Sequence, residues 1–193
     1  MSFLEELRRK RKFLKTTETI VTKPDGRRFK ENSSLNETTE IDQKTYGFVI
    51  DYKPDNIPSK ITDNIFLGSQ DCCEDKVLHQ HSITHVLSIG VQAPNHYPDV
   101  VYEFVPCLDL PETNIKDKLV KVCIPFLSSV TENNCKALVH CNAGISRSAT
   151  VVIGFLILHN NYTYEEAYAL VKQARSCIKP NAGFQTQLKY LKT

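Results

Sequence analysis

The sequence predicts an α/β fold, a central and mostly parallel sheet flanked by helices. Three features lead there. From Tyr46 onward, five short segments rich in β-branched and aromatic residues read as strands. Between them, apolar residues recur at three- and four-residue spacing, the period of helices. The two kinds of segment alternate, an order that puts parallel strands in one sheet with both faces covered.

Residues 1–44 stand apart as an N-terminal extension. Residues 1–30 carry ten Lys or Arg against four Asp or Glu, with RRKRK at 8–12. This cluster reads as a solvated tail or as a docking or nuclear-import signal. The first dozen residues have the apolar side of a short helix in Phe3, Leu4, Leu7 and Leu14. Residues 31–45, ENSSLNETTEIDQKT, are too polar to offset the entropy of ordering and are expected to stay without structure. The globular domain, 45–193, opens with the strand YGFVI (46–50). NIFLG (64–68), THVLSI (84–89), YEFVPC (102–107) and KALVH (136–140) follow. Ile115, Leu119, Val122, Phe126 and Val130 mark one face of a helix that Pro125 must kink or interrupt. The segment 149–159 is apolar nearly all round, which predicts a fully buried helix. Thr163 with Glu166 forms a capping box for a helix to about Arg175. Pro180, Asn181 and Gly183 signal a turn, and a helix over about 184–191 closes the domain.

Bulk composition excludes several function classes. Net charge is +2, so no global field draws nucleic acid or a membrane surface. The longest apolar run, 149–158, is too short to span a bilayer. Seven cysteines, at 72, 73, 107, 123, 135, 141 and 177, include no CxxC pair, which argues against a zinc module. The start lacks the apolar stretch of a signal peptide. These features predict free thiols in a reducing, cytoplasmic setting, with the nucleus as a further location.

The chemistry concentrates in VHCNAGISRSAT (139–150). KALVH is a buried strand ending at His140, and a helix is expected from near Ser148. Gly144 allows the sharp turn between them. In a strand–loop–helix turn, successive backbone N–H groups form an anion cradle, and the helix N-terminus adds further donors. Asn142, Ala143, Gly144, Ile145 and Ser146 are neutral and mostly small, which keeps the backbone accessible. Arg147 supplies a planar fork for two phosphate oxygens. The same positive field favours the thiolate form of Cys141, as at other cysteines beside helix N-termini and cations. Cys141 is therefore the expected nucleophile beneath a bound phosphoryl group. The other six cysteines read as ordinary core residues.

HCNAGISRS resembles the HCxxGxxRS signature of cysteine-dependent protein phosphatases. With LDLPETNI (108–115) and KPNAGFQTQL (179–188), residues 46–193 resemble the small dual-specificity phosphatases. Within that branch they are most similar to the subgroup that regulates stress-activated kinase pathways. The resemblance implies the cysteine-dependent phosphatase fold and a cysteinyl-phosphate intermediate. It also implies dual action on phosphotyrosine and phosphoserine/threonine, with MAP or stress-activated kinases, or the kinases upstream of them, as common targets.

Local sequence leaves Asp109 open between a general acid and a turn former, with Glu112 as the nearest rival. The resemblance assigns the acid to Asp109. Ser148 reads as a hydroxyl that assists the sulfur, as the N-cap of the next helix, or as both. His140 is expected to orient the loop by hydrogen bonding. Asn181 is a turn residue on sequence alone and a loop-bracing asparagine by resemblance. The neutral loop disfavours a multiply charged inositol headgroup, and Ser148–Ala149 departs from the Thr-Gly of the related RNA 5′-phosphatases. A monomer without metal or cofactor is expected. The alternative is a phosphopeptide-binding or kinase-scaffolding module with little turnover. The presence of Cys141, Arg147 and Asp109 argues against it. A loop this far along the chain disfavours low-molecular-weight phosphatases and arsenate reductases. The aspartate upstream of it fits rhodaneses poorly.

Overall fold

The computed structural model describes residues 18–22, 27–32, 37–41 and 55–191. The chain divides into two compact units, Met1–Tyr46 and Gly47–Thr193. The helix expected in the first dozen residues and the strand expected at 46–50 both lie outside the described residues.

In the first unit, β1 (Glu18–Thr22), β2 (Arg28–Asn32) and β3 (Glu37–Ile41) form an antiparallel meander. Thr22 lies opposite Arg28, and Arg28 opposite Ile41. This corrects the expectation that 31–45 would be without structure, because the end of β2 and all of β3 fall inside it. The reasoning from polarity counted only apolar burial. A meander closes short loops at small entropic cost and satisfies its backbone through local ladders.

The second unit is built on a five-stranded sheet, in order β4 (Ser59–Lys60), β5 (Ile65–Gly68), β8 (Ala137–His140), β6 (His85–Ile89) and β7 (Val101–Val105). All neighbours are parallel except the short edge pair β4–β5. β7 stops at Val105 because Pro106 has no N–H to offer the ladder. Strand residues alternate between two cores. Ile65, Leu67, Leu87, Ile89 and Val139 face the larger one, with most of the helices. Phe66, Val86 and Leu138 face a smaller one closed by α1 (Asp75–His81) through Val77 and Leu78. The sheet is thus covered on both faces, as the alternating pattern predicts.

Pro125 interrupts its helix as expected. Helix α2 (Lys116–Lys118) widens into a π segment (Leu119–Cys123) before α3 (Ile124–Glu132) resumes with the proline in its first turn. Proline has no N–H, and its ring collides with the carbonyl four residues back; a wider turn relieves both. Helix α4 (Arg147–Asn160) is buried without a break from Arg147 to Ile157. At Gly154 a Cβ would stand 2.9 Å from Leu119 Cδ1, so the glycine lets the π segment lie directly on α4. Helix α5 (Tyr164–Ala174) opens with the complete Thr163/Glu166 capping box. Helix α6 (Ala182–Lys189) starts two residues before its expected position because the Asn181 side chain accepts from Phe184 N–H and caps it. Among the described residues, no helix is long and apolar enough to cross a membrane.

Candidate active site

β8 lies between β5 and β6, so the chain leaving His140 emerges from the middle of the sheet at the C-terminal ends of its parallel strands. Ligand sites of open α/β sheets gather there. Six residues, 141–146, connect this strand to α4.

The carbonyls of this loop point away from its centre. Asn142 O accepts from Gln70 N–H at 3.0 Å, and Ile145 O from Lys179 N–H at 2.8 Å. Ala143 O and Gly144 O accept from Arg175, from Nη2 at 3.1 Å and Nε at 3.0 Å. In a trans peptide the N–H points opposite to the C=O. The N–H groups of Ala143, Gly144, Ile145 and Ser146 therefore converge on the inside of the loop, and none donates to a protein acceptor among the described residues. Gly144 makes the turn possible. Its φ is +65°, and a Cβ there would meet the Gly68 backbone at 2.6 Å.

Cys141 forms the floor. Its Sγ lies 3.1 Å from Ser148 Oγ. Ser148 is the second residue of α4 and Ser146 is its cap, so the N-cap reading of Ser148 is corrected and its hydroxyl is directed at the sulfur. Arg147, the first helical residue, is 3% exposed. Its Nη1 donates to Cys107 O at 3.4 Å, and its Nε has no hydrogen-bond partner among the described residues. A buried guanidinium N–H without an acceptor is costly, and an anion in the cradle would satisfy it.

Asp109 follows β7 and is buried beside the loop. Its Oδ1 accepts from Ser146 Oγ at 2.6 Å and from Asn181 Nδ2 at 2.7 Å. Asn181 thus joins three pieces. Its oxygen caps α6, its amide nitrogen holds Asp109, and its N–H donates to Ser146 Oγ. Glu112, the rival acid, is exposed in a shallow depression with Asn114, Lys116 and Tyr190.

His140 is fully buried. Burial, the largest cause, and the nearby Arg147 charge push its pKa down to about 4, so the ring is neutral at pH 7. A neutral imidazole has one N–H, and a carbonyl only accepts. The contact of Nδ1 with Cys141 O (3.3 Å) therefore puts the proton on Nδ1, and Nε2 accepts from Ser88 Oγ at 2.7 Å. The ring fixes the backbone at Cys141 from behind. Cys107 and Cys123, also buried, have thiols that burial pushes up to about 11 and about 12. All seven cysteines are free; Cys177 is exposed and Cys135 half-buried, which corrects the expectation that both are core residues.

The structure brings together Cys141, Arg147, Asp109, Ser148, Ser146, His140 and Asn181. Sequence reasoning did not single out Ser88, Asp55 or Arg175. Ser88 looks like any strand serine, and Arg175 like any basic residue at a helix end. Asp55 carries no local signal at all, because its partner lies 120 residues away.

Residues 65–193 match the family described as "Dual specificity phosphatase, catalytic domain". Dual specificity protein phosphatase 19 of Mus musculus is 39% identical over 145 residues, which cover 74% of this chain and 66% of the mouse protein. A Dictyostelium discoideum protein named Probable dual specificity protein phosphatase is 33% identical across 96% of this chain and 95% of its own length. Among solved structures, DUSP15 superposes with a TM-score of 0.65 at 32% identity, covering 70% of this chain and 86% of its own. Human DUSP28 gives 0.67 at 27% identity, covering 72% and 95%.

Proposed function

The chain belongs to the dual specificity phosphatase family and is a cysteine-dependent protein phosphatase; from that premise we propose that Cys141 attacks phosphotyrosine and phosphoserine/threonine in phosphoproteins of a MAP or stress kinase pathway. The converging amides of 143–146 and the Arg147 fork bind the three non-bridging phosphoryl oxygens. The Cys141 sulfur forms the S–P bond as the ester P–O bond breaks, and Asp109, protonated, gives its proton to the leaving oxygen. In the second step water attacks phosphorus, Asp109 takes its proton, and the S–P bond breaks. Ser148 Oγ–H, 3.1 Å from the sulfur, donates to it as it leaves with the electron pair. His140 and Asn181 hold the nucleophile and the acid in register. No step requires a metal or cofactor.

One observation carries this reading. The carboxylate of Asp109 is tied by Ser146 to the same six-residue loop that holds the sulfur and precedes the guanidinium. One hydrogen bond thus links the acid directly to the loop that carries the sulfur and the anion cradle. The neutral side chains between Cys141 and Arg147 favour a phosphorylated side chain over a polyanionic headgroup. The kinase-pathway assignment rests on the resemblance to the subgroup, and a cytoplasmic location on the free thiols.

The test is a panel of phosphotyrosine, phosphothreonine, phosphoinositide and RNA 5′-phosphate substrates, including doubly phosphorylated activation-loop peptides of MAP and stress-activated kinases. Turnover concentrated on the phosphopeptides is expected. Preference for a phosphoinositide or an RNA end would overturn the substrate assignment.

A further inference from the structure

Arg175 is 6% exposed, and burying a guanidinium costs several kcal/mol unless its donors and charge are met. Four of its five N–H groups are engaged. Nε and one Nη2–H hold the carbonyls of Gly144 and Ala143, and the remaining contacts go to Asp55, Nη2 to Oδ2 at 2.8 Å and Nη1 to Oδ1 at 3.3 Å. The fork-to-fork pairing fixes the plane of the guanidinium. Asp55 is itself anchored, because its carbonyl accepts from Ser69 Oγ at 2.6 Å. Ser69 follows Gly68, the residue on which Gly144 rests. One ion pair thus spans the strap before β4, the end of β5, the end of α5 and the catalytic loop.

We propose that Asp55 and Arg175 are a positioning pair for the phosphate cradle, so that the working catalytic unit reaches upstream of residue 65, where the family match begins. The inference rests on the reading of 141–147 as a phosphate site. Arg175 attracts two carbonyl oxygens to the outside of the loop and thereby aims the N–H groups of Gly144 and Ile145 inward. Without it, both carbonyls lose their donors, and those peptide planes are free to rotate an oxygen toward the phosphate. Without Asp55, Arg175 loses its charge partner and the plane in which its donors are held.

The experiment uses the full chain carrying Arg175→Lys, Asp55→Asn or both, with two readouts. One is kcat, KM and inhibition by inorganic phosphate in p-nitrophenyl phosphate hydrolysis. The other is direct phosphate binding by calorimetry in a Cys141→Ser background. The second stands even if the wild type proves inactive, so failure of the phosphatase reading is kept apart from failure of the pair. Lysine keeps the charge and loses the fork, so Arg175→Lys should weaken phosphate binding and lower kcat by roughly 100-fold, the scale of a misplaced catalytic geometry. Asp55→Asn should weaken phosphate binding roughly 10-fold, the scale of one charge-assisted contact. The double variant should be no worse than Arg175→Lys alone, as expected of residues acting in series. A merely structural pair would lower the melting temperature and leave phosphate affinity and kcat of the folded protein at wild-type values, and that result overturns the proposal. If Arg175→Lys does not fold, Asp55→Asn decides alone: its side chain is 34% exposed, and unchanged phosphate affinity in that folded variant overturns the proposal equally.

Discussion

Acidifying the protein from pH 7.5 to pH 5 should remove stability through the buried ring of His140. Its folded pKa of about 4 lies below the ordinary 6.5. Between those values the unfolded chain binds a proton that the native chain refuses, so stability is fully present above about pH 7 and falls as the pH drops toward 4. At about 1.36 kcal/mol per pH unit, the whole gap comes to roughly 3 kcal/mol. The part lost between pH 7.5 and pH 5 is about 2 kcal/mol, a large share of a typical domain's margin of about 5–15 kcal/mol. The assay is urea denaturation at both pH values, in the wild type and in His140→Asn, which retains a donor for Cys141 O but does not titrate. His85, which burial also pushes down, contributes equally to both proteins and cancels. The wild type should lose about 2 kcal/mol more than the variant over this interval. Equal losses in the two proteins would show that His140 is not held neutral in the native state, and the proton assignment at Cys141 would fall with it.

Other consequences are equally open to measurement. Asp109→Asn should cost on the order of 100-fold or more in kcat, and most with poor leaving groups, across a series of aryl phosphates. A loss independent of leaving group would move the acid elsewhere. Gly144→Ala drives a Cβ into the Gly68 backbone at 2.6 Å and holds a non-glycine residue at φ +65°, so phosphate inhibition should weaken sharply. Unchanged phosphate affinity would contradict the cradle geometry. Removing residues 1–44 should leave hydrolysis of p-nitrophenyl phosphate intact; loss of folding would place the start of the catalytic unit inside that segment.

Much of this architecture was legible in the residues. Strands β5, β6 and β8 lie within their apolar segments, and Ala149 to Ile157 is buried as its all-round apolarity requires. Pro125 announced its interruption, though not that a π segment would absorb it. The N-terminal meander was missed because its strands are polar and its ladders local, so no apolar period marks them. At the site, Cys141, Arg147 and the following helix are contiguous in the chain and were readable together. Arg175, Asp55 and Ser88 come to the loop from elements distant in the chain: the end of α5, the strap before β4, and β6. Nothing near Asp55 records the closure that brings it to Arg175, and nothing near Ser88 foretells the ring of His140, 52 residues on.

The most direct measurement is a rapid acid quench of the Ser148→Ala variant turning over p-nitrophenyl phosphate, followed by peptide mass spectrometry. With the hydroxyl 3.1 Å from the sulfur removed, departure of the thiolate slows and the covalent intermediate accumulates. The expected result is one phosphate on Cys141, formed together with a burst of p-nitrophenol. Turnover without any phosphate on that sulfur, or with phosphate on another residue, would contradict thiolate attack.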